Sequence, residues 1–368
     1  MRALLAIVAL CTTIASSYPH YSDPKFLSKL QRRQIVGGSS GSDGSNNPPL
    51  IGDLKTTIIS QSAKDIVSIF LSDPPPFAQP QNLNVGTKPV SDVSQCSPTD
   101  TCCPWYFVSE YLTSQFVGPD GLCNDLARAA IRLGFHDAGT WSQSLAANGQ
   151  DFGGADGSFV LFGEDSRPEN NGLQDVTQFT IDTWDMFPVG MADLIQYMAV
   201  HAVVTCPLGP RVRAYVGRID ATQQSPQHLL PDVHADADSL IALFEDKTIS
   251  PHDLAALLGA HSTSKQFFVD TAKSGMPQDT TPGIWDVSFY NETLQQGGPD
   301  GVFKFPSDVV VSQHPLVNDE WVMFTANQTH WNEDFARAYL RLSLLGVNNI
   351  NQLTECTHTL PPKQDTIP

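Results

Sequence analysis

Apolar side chains recur along this chain at the spacing of a helix. "DLARAAIRLGFH", "MADLIQYMAVHAVV", "SPHDLAALLGAH", "NDEWVMFTANQTH" and "NEDFARAYLRLSLLG" each return an apolar residue every three or four positions. No stretch of comparable length alternates apolar with polar, so residues 96–368 are predicted to form one mainly α domain with few short strands and no internal repeat. Upstream the texture changes. Residues 34–95 read as a Gly/Ser/Pro-rich extension: "GGSSGSDGSNNPP" has the composition of a flexible linker and "DPPPFAQPQ" resists regular structure. Between them "DLKTTIISQSAKDIVSIFLSD" predicts a single amphipathic helix suited to packing.

The first residues change the expected compartment. Met1 and Arg2 precede the apolar run "ALLAIVAL", which gives way to the small residues "ASS", so residues 1–17 have the layout of a secretory signal. Residues 18–33 end in the dibasic pair of "QRR" and form a candidate propeptide. No later stretch is long and apolar enough to predict a membrane span. Removal of the signal would take Cys11 with it, leaving Cys96, Cys102, Cys103, Cys123, Cys206 and Cys356. Disulfides are the expected state of such a set in an exported protein, and six cysteines allow about 15 pairings. A net charge of −18 argues against nucleic acid as a partner, since polyanions are bound through clustered Lys and Arg. The balance suits an acidic, soluble, extracellular protein; a monomer without membrane partners is expected.

Candidate chemistry gathers in four short stretches. In "RLGFHDAGT", residues 132–140, a helix would carry Arg132 and His136 on one face with Phe135 beside them and Asp137 turned away. In "SPHDLAALLGAH", Ser250, Pro251 and Asp253 make a helix start, and Leu254, Leu257, Leu258 and His261 continue one apolar stripe. A lone histidine on an apolar face is ordinarily a hydrogen-bonded core residue. Two on two such faces, one with an arginine a turn away, point instead to a cofactor held between helices. "DTTPGIWD", residues 279–286, supplies Asp279, Thr280, Thr281 and Asp286 in one turn-rich loop, a hard-oxygen set suited to calcium. "GGADGS", residues 153–158, sets Asp156 and Ser158 among glycines, where Asp137 could join them. Either loop alone could be an ordinary turn.

Taken in order, "RLGFHDA", "GGADGS", "LLGAHS" and "DTTPGIWD" resemble the distal, first-calcium, proximal and second-calcium motifs of the secreted fungal haem peroxidases, class II of the plant-type superfamily. The resemblance runs from about residue 96 to the end of the chain. It implies a two-lobed helical fold with haem b between a distal and a proximal helix, and two calcium ions. His261 would be the proximal ligand of the haem iron, with Asp308 accepting a hydrogen bond from its other nitrogen. On the distal side His136 would move protons on hydrogen peroxide, Arg132 would stabilise developing negative charge, Asn170 would hold the His136 tautomer, Glu164 would link Asn170 to the calcium region, and Phe135 would pack against the haem. The first calcium site would map to Asp137, Gly154, Asp156 and Ser158. The second would map to Ser262, Asp279, Thr281, Ile284 and Asp286. The implied disulfides are Cys96 with Cys103, Cys102 with Cys356 and Cys123 with Cys206, a fourth being absent because "QHPLVNDEW" has no cysteine.

Departures from the family pattern bear on substrate. The acids of the manganese-oxidising members correspond to Asp125, Ala129 and Phe267, so one of three carboxylates remains. The surface tryptophan of the lignin-oxidising members falls at Ala256. The expected activity is therefore peroxide reduction with small phenolic or aromatic donors at the haem edge. The alternative is a calcium-stabilised helical domain that binds at a surface and has lost haem. His201, His234, His252, His314 and His330 lie outside the motifs and are read as surface or structural. Of the sequons at Asn291 and Asn327, the second sits in a helical pattern, which favours Asn291 as a glycan acceptor. Gly134 should cost its helix up to about 1 kcal/mol, with no sequence-level reason for it.

Overall fold

A computed structural model of the chain describes residues 48–71, 78 and 85–368. The expected signal and propeptide, the flexible linker as far as residue 47, and all of "DPPPFAQPQ" except Ala78 lie outside the described residues. Among the described residues thirteen α-helices follow in order: α1 (Gln61–Leu71), α2 (Cys103–Phe116), α3 (Asp125–Ala138), α4 (Gln143–Ala147), α5 (Ser158–Leu161), α6 (Gln174–Met186) and α7 (Met191–Thr205), then α8 (Ala237–Glu245), α9 (Pro251–Leu258), α10 (Ser288–Leu294), α11 (Pro306–Ser312), α12 (Asn318–Phe324) and α13 (Gln328–Leu342). Among the described residues the only paired strands are β1 (Tyr215–Val216) and β2 (Thr354–Glu355), antiparallel with Tyr215 opposite Glu355. The mainly α class read from the sequence is what the chain adopts.

Helix starts follow capping chemistry. Asn124 accepts from the backbone N–H of Ala127 at 3.1 Å to open α3, and Ser250 accepts from Asp253 at 3.1 Å to open α9, which also has Pro251 in its first turn. Every residue of α7 is buried, consistent with a sequence that is apolar on all sides except for Asp193, Gln196, Tyr197, His201 and Thr205. Against it lie α2, α3 and α6. A second group packs α9 against α13, α12 and α10. Its core is aromatic: Trp285 and Trp331 stack with centroids 4.9 Å apart, and Trp331 and Tyr290 donate to the backbone of α9 at Ala256 (3.0 Å) and Ala255 (2.8 Å). His201 is structural, its ring held among Ser109 O, Thr113 and Thr205. No single helix among the described residues is long and apolar enough to cross a membrane.

The structure corrects several local expectations. The segment predicted as one amphipathic helix is a 3₁₀ turn at Gly52–Lys55 followed by α1, and it is built into the body. Ile51, Leu54, Ile66, Ile69 and Phe70 are buried. Asp53 accepts from the backbone N–H of Ile350 at 2.8 Å, and Arg341 donates to Pro49 O at 3.0 Å while lying 4.3 Å over the ring of Phe70. "NDEWVMFTANQTH" is not one helix. It breaks after Phe324, and Asn327 caps α13 by accepting from His330 N at 3.1 Å, because the short Asn side chain competes better as a cap than as a helix residue. Of the two sequon asparagines, Asn327 is exposed ahead of its helix and the half-buried Asn291 donates its amide to Thr325 O at 2.8 Å. All three disulfides implied by the resemblance are formed, Cys96–Cys103, Cys102–Cys356 and Cys123–Cys206.

Gly134 now has a reason. Helix α3 approaches α7 so closely there that a β-carbon would stand 2.5 Å from that of Ala199 and 2.3 Å from the Tyr339 hydroxyl. The glycine carbonyl takes a hydrogen bond from Gln196 at 3.0 Å, and Tyr339 donates to Gln196 at 3.2 Å. Gly134→Ala should therefore destabilise the protein by about 1–3 kcal/mol through overpacking, outweighing the roughly 1 kcal/mol gain in helix propensity. Thermal or denaturant melts of the two proteins check this, and a more stable alanine variant would contradict the close approach.

Candidate active site

Helix α3 presents Arg132, Phe135 and His136, and the 3₁₀ turns after α5 bring Asn170 up to them. His136 Nδ1 and Asn170 Oδ1 are 2.7 Å apart, and the Asn170 amide donates to Glu164 O at 2.7 Å. Because that amide nitrogen is committed as a donor, its oxygen must accept, so the proton of His136 sits on Nδ1 and Nε2 carries the lone pair. Glu164 is itself anchored, accepting from the backbone N–H of Ser225 at 2.7 Å and its hydroxyl at 2.6 Å, with Arg167 at 3.0 Å. Ser225 and Arg167 belong to no motif, and nothing in their local sequence marks them. Arg132 donates through Nε to His136 Nε2 at 3.2 Å and through a terminal nitrogen to Asn171 O at 2.9 Å.

The electrostatics keep this imidazole neutral. Burial, then the Arg132 cation, pull the His136 pKa down to about 3 against the opposing bond to Asn170. Burial also lowers Arg132 to about 10, although solvent reaches its side chain, as expected for a group surrounded by protein on the wall of a cleft. The guanidinium stays charged at neutral pH. Phe135 is partly exposed, stacked on Phe244 of α8 with centroids 6.0 Å apart and set edge-on to His136 at 5.7 Å.

His261 stands just beyond the α-helix predicted to carry it, in the 3₁₀ turn Gly259–Thr263. Its Nδ1 is 2.9 Å from Asp308 Oδ2, in the first turn of α11, where the helix dipole favours a carboxylate. Asp308 is buried and its Oδ1 has no hydrogen-bond partner. Phe289 and Phe305 wedge the His261 ring edge-on at 5.7 and 5.4 Å. Its Nε2 has no hydrogen-bond partner among the described residues.

Both oxygen-rich loops close into cages beside these histidines. Asp137, fully buried, accepts from the backbone N–H groups of Gly157 and Phe159, each at 3.2 Å, and Asp156 accepts from Ser158 N at 3.0 Å. The Ser158 hydroxyl lies buried beside Asp156 with no hydrogen bond of ordinary geometry. Gly154 adopts φ of +100°, and a side chain there would strike Leu345 O at 2.2 Å. Burial, with Asp156 next in effect, raises the Asp137 pKa well above the carboxylate range. In the second loop Asp279 is fully buried, its Oδ2 lacks an ordinary hydrogen-bond partner, and burial pushes its pKa up to about 8. Around it, Thr281 donates to Asp286 at 2.9 Å and Ser262 donates to Ile284 O at 3.2 Å. Thr280 turns away to Glu292, 2.6 Å from its hydroxyl. Buried carboxylates kept apart from cations in this way are what a divalent ion with oxygen ligands would stabilise.

The positions bearing on substrate are equally defined. Asp125 is paired with Arg128 and, at 3.0 Å, with Lys265, so its charge is already met. Phe267 is exposed, at 46% of its full area, and Ala256 is entirely buried. The latter finding corrects the expectation of a surface position there: α13 and Tyr290 cover it.

The chain matches the family model described as "Peroxidase" over residues 113–343. It is 30% identical over 303 residues to a peroxidase of Coprinopsis cinerea, spanning 77% of this chain and 83% of the relative. It is 32% identical over 285 residues to ligninase C of Trametes versicolor, spanning 72% and 76% of the two chains. With manganese peroxidase 3 of Phlebia radiata it shares 30% identity over 282 residues, 71% and 77%. The chain belongs to the peroxidase family, in its fungal class II group, and is an enzyme with peroxidase function. Haem and calcium are general cofactors of that group, which is typically secreted.

Proposed function

We propose that this chain is a secreted, monomeric peroxidase with haem b and two calcium ions that reduces hydrogen peroxide using electrons from small phenols or aromatic amines. One observation carries the reading. Two imidazoles each have Nδ1 fixed by a side-chain acceptor and Nε2 available, one beside a guanidinium and one tied to a carboxylate. The residues fit haem, since His261 would offer Nε2 to the iron while Asp308 draws its Nδ1–H and makes the ring a stronger electron donor. Bound haem supplies a redox centre able to relay two electrons from donors to peroxide. His136 Nε2 takes a proton from hydrogen peroxide and delivers it to the departing oxygen. Arg132 stabilises the negative charge that grows as the O–O bond breaks. Overall, one peroxide and two hydrogen-atom donors give two waters and two donor radicals. Asp137, Gly154, Asp156 and Ser158 would hold one calcium, and Ser262, Asp279, Thr281, Ile284 and Asp286 the other. Processing within residues 1–33 belongs to the same proposal. A binding domain without haem would have no use for the Asn170 and Asp308 bonds.

His136→Ala should retain haem but react with peroxide about 10²- to 10⁴-fold more slowly in stopped flow, while His261→Ala should lose haem on dilution. The wild-type rate should also be flat from pH 7 down to about 4. His136 is competent when neutral, and its depressed pKa of about 3 keeps it neutral well below the 6.5 of a free imidazole. A rate that halves near pH 6.5 would contradict the buried, Asn170-bound tautomer.

Calcium removal should lower activity and melting temperature together, because an ion bound only by the folded chain stabilises it by mass action. Verified calcium-free protein with an unchanged melt would remove the cages from the proposal.

Steady-state turnover should be good with simple phenols and dye-type donors, and poor with manganese(II) or veratryl alcohol. Asp125 alone, already ion-paired, gives manganese too few oxygen ligands, and buried Ala256 provides no relay to the surface. Efficient turnover of either specialised donor would show a site elsewhere on the surface.

A further inference from the structure

Away from both histidine sites, α9, α12 and α13 bring four metal-ligating side chains to one point. His252 sits in the first turn of α9, Glu320 in the first turn of α12, and His330 and Asp334 one turn apart on α13. One ligand atom from each lies within 4.8 Å of all the others. His252 Nε2 is 3.5 Å from Glu320 Oε2 and 3.5 Å from Asp334 Oδ2. His330 Nε2 is 3.2 Å from Glu320 Oε1 and 2.8 Å from Asp334 Oδ2.

The two His252 separations are long for hydrogen bonds, the two from His330 fall within hydrogen-bond range, and three of the four suit ligands that share an ion. With Zn–N and Zn–O bonds of about 2.0–2.2 Å, the edge of a tetrahedron is about 3.4 Å. Only the His330–Asp334 edge would have to open, by about half an ångström on the same geometry. Directions agree with distances. His252 Nε2 and Asp334 Oδ2 are buried atoms that make no hydrogen bond of ordinary geometry, although partners of complementary chemistry stand within 3.5 Å, so the groups face a common centre more than one another. The surroundings hold the rings still. Phe324 sets its edge against both imidazoles, at 6.5 and 5.2 Å, and Asp253 Oδ1 lies 3.6 Å from His252 Nδ1, on the far side from the cluster, as carboxylates behind metal-bound histidines do.

We infer that His252, Glu320, His330 and Asp334 form a tetrahedral site for a zinc-class divalent cation. Two carboxylates and two neutral imidazoles would neutralise it, and none of the four takes part in the peroxide chemistry. The ion would pin the first turn of α9 to α12 and α13, while the second calcium cage, through Ser262, borders the opposite end of the same helix just past His261.

The test uses the full mature holoenzyme in excess calcium, so that the oxygen cages are filled, with zinc(II) as the probe. Calorimetric titration and elemental analysis after gel filtration should give one saturable equivalent of zinc per chain. His330→Asn should weaken that binding at least tenfold, and Glu320→Gln, nearly isosteric, should do the same if the histidine variant folds poorly. Wild-type protein that takes up no stoichiometric zinc, or variants that bind zinc as well as the wild type, would overturn the inference and leave the cluster an ion-pair network.

Discussion

An imidazole can be used through one nitrogen only if the other is fixed, and in this molecule that constraint organises everything near the active site. His136 and His261 are both held at Nδ1, but their acceptors differ, and the His136 Nε2 lone pair faces the Arg132 guanidinium. Asn170 offers a neutral oxygen, which sets the tautomer without drawing positive charge onto the ring, so burial and Arg132 keep His136 an unprotonated base. Asp308 offers a full negative charge, which makes His261 a richer donor toward whatever it ligates. The same residue type is thus prepared for two different chemistries through a choice of partner.

Each partner needs support of its own. Asn170 faces the right way because Glu164 O receives its amide, and Glu164 stays put because Ser225 and Arg167 satisfy its carboxylate. Asp137 and Ser262 directly follow His136 and His261 in sequence and line the two oxygen-rich loops. An ion in either cage would therefore fix backbone one residue from an imidazole. Precision at the site comes from these outer links, which exclude alternative ring orientations before any ligand arrives.

Local order was readable from the chain where one helix or one loop holds it. The Arg132–His136 spacing, the Ser250 cap and the two oxygen-rich loops are of that kind, because periodicity and turn chemistry act over a few residues. Contacts between distant elements were not. The need for Gly134 depends on Ala199 and Tyr339, the burial of Ala256 on Trp331, and the break at Asn327 on a cap competing with an otherwise continuous helical pattern. Likewise the i,i+4 pair His330 and Asp334 looks like any solvated helix face until α9 and α12 close over it. Residues 34–95 read as an appendage by composition, yet within them Ile51, Leu54, Ile66, Ile69 and Phe70 are core, while Ile58 and Ile59 stay exposed.

That last feature bears on how the molecule comes to be folded. The carboxylate of Asp53 bonds to the backbone of Ile350, 297 positions later, and Pro49 meets Arg341. Closing so long a loop costs chain entropy that no local contact returns, and α1 is too short to be a stable helix alone in water. A chain emerging from its N-terminus therefore carries Ile51, Leu54, Ile66, Ile69 and Phe70 exposed until α13 and the turn at Ile350 have been made. The early segment cannot be buried before the C-terminal helices it packs against exist, and the Cys102–Cys356 bond ties together chain ends over a comparable separation of 254 residues.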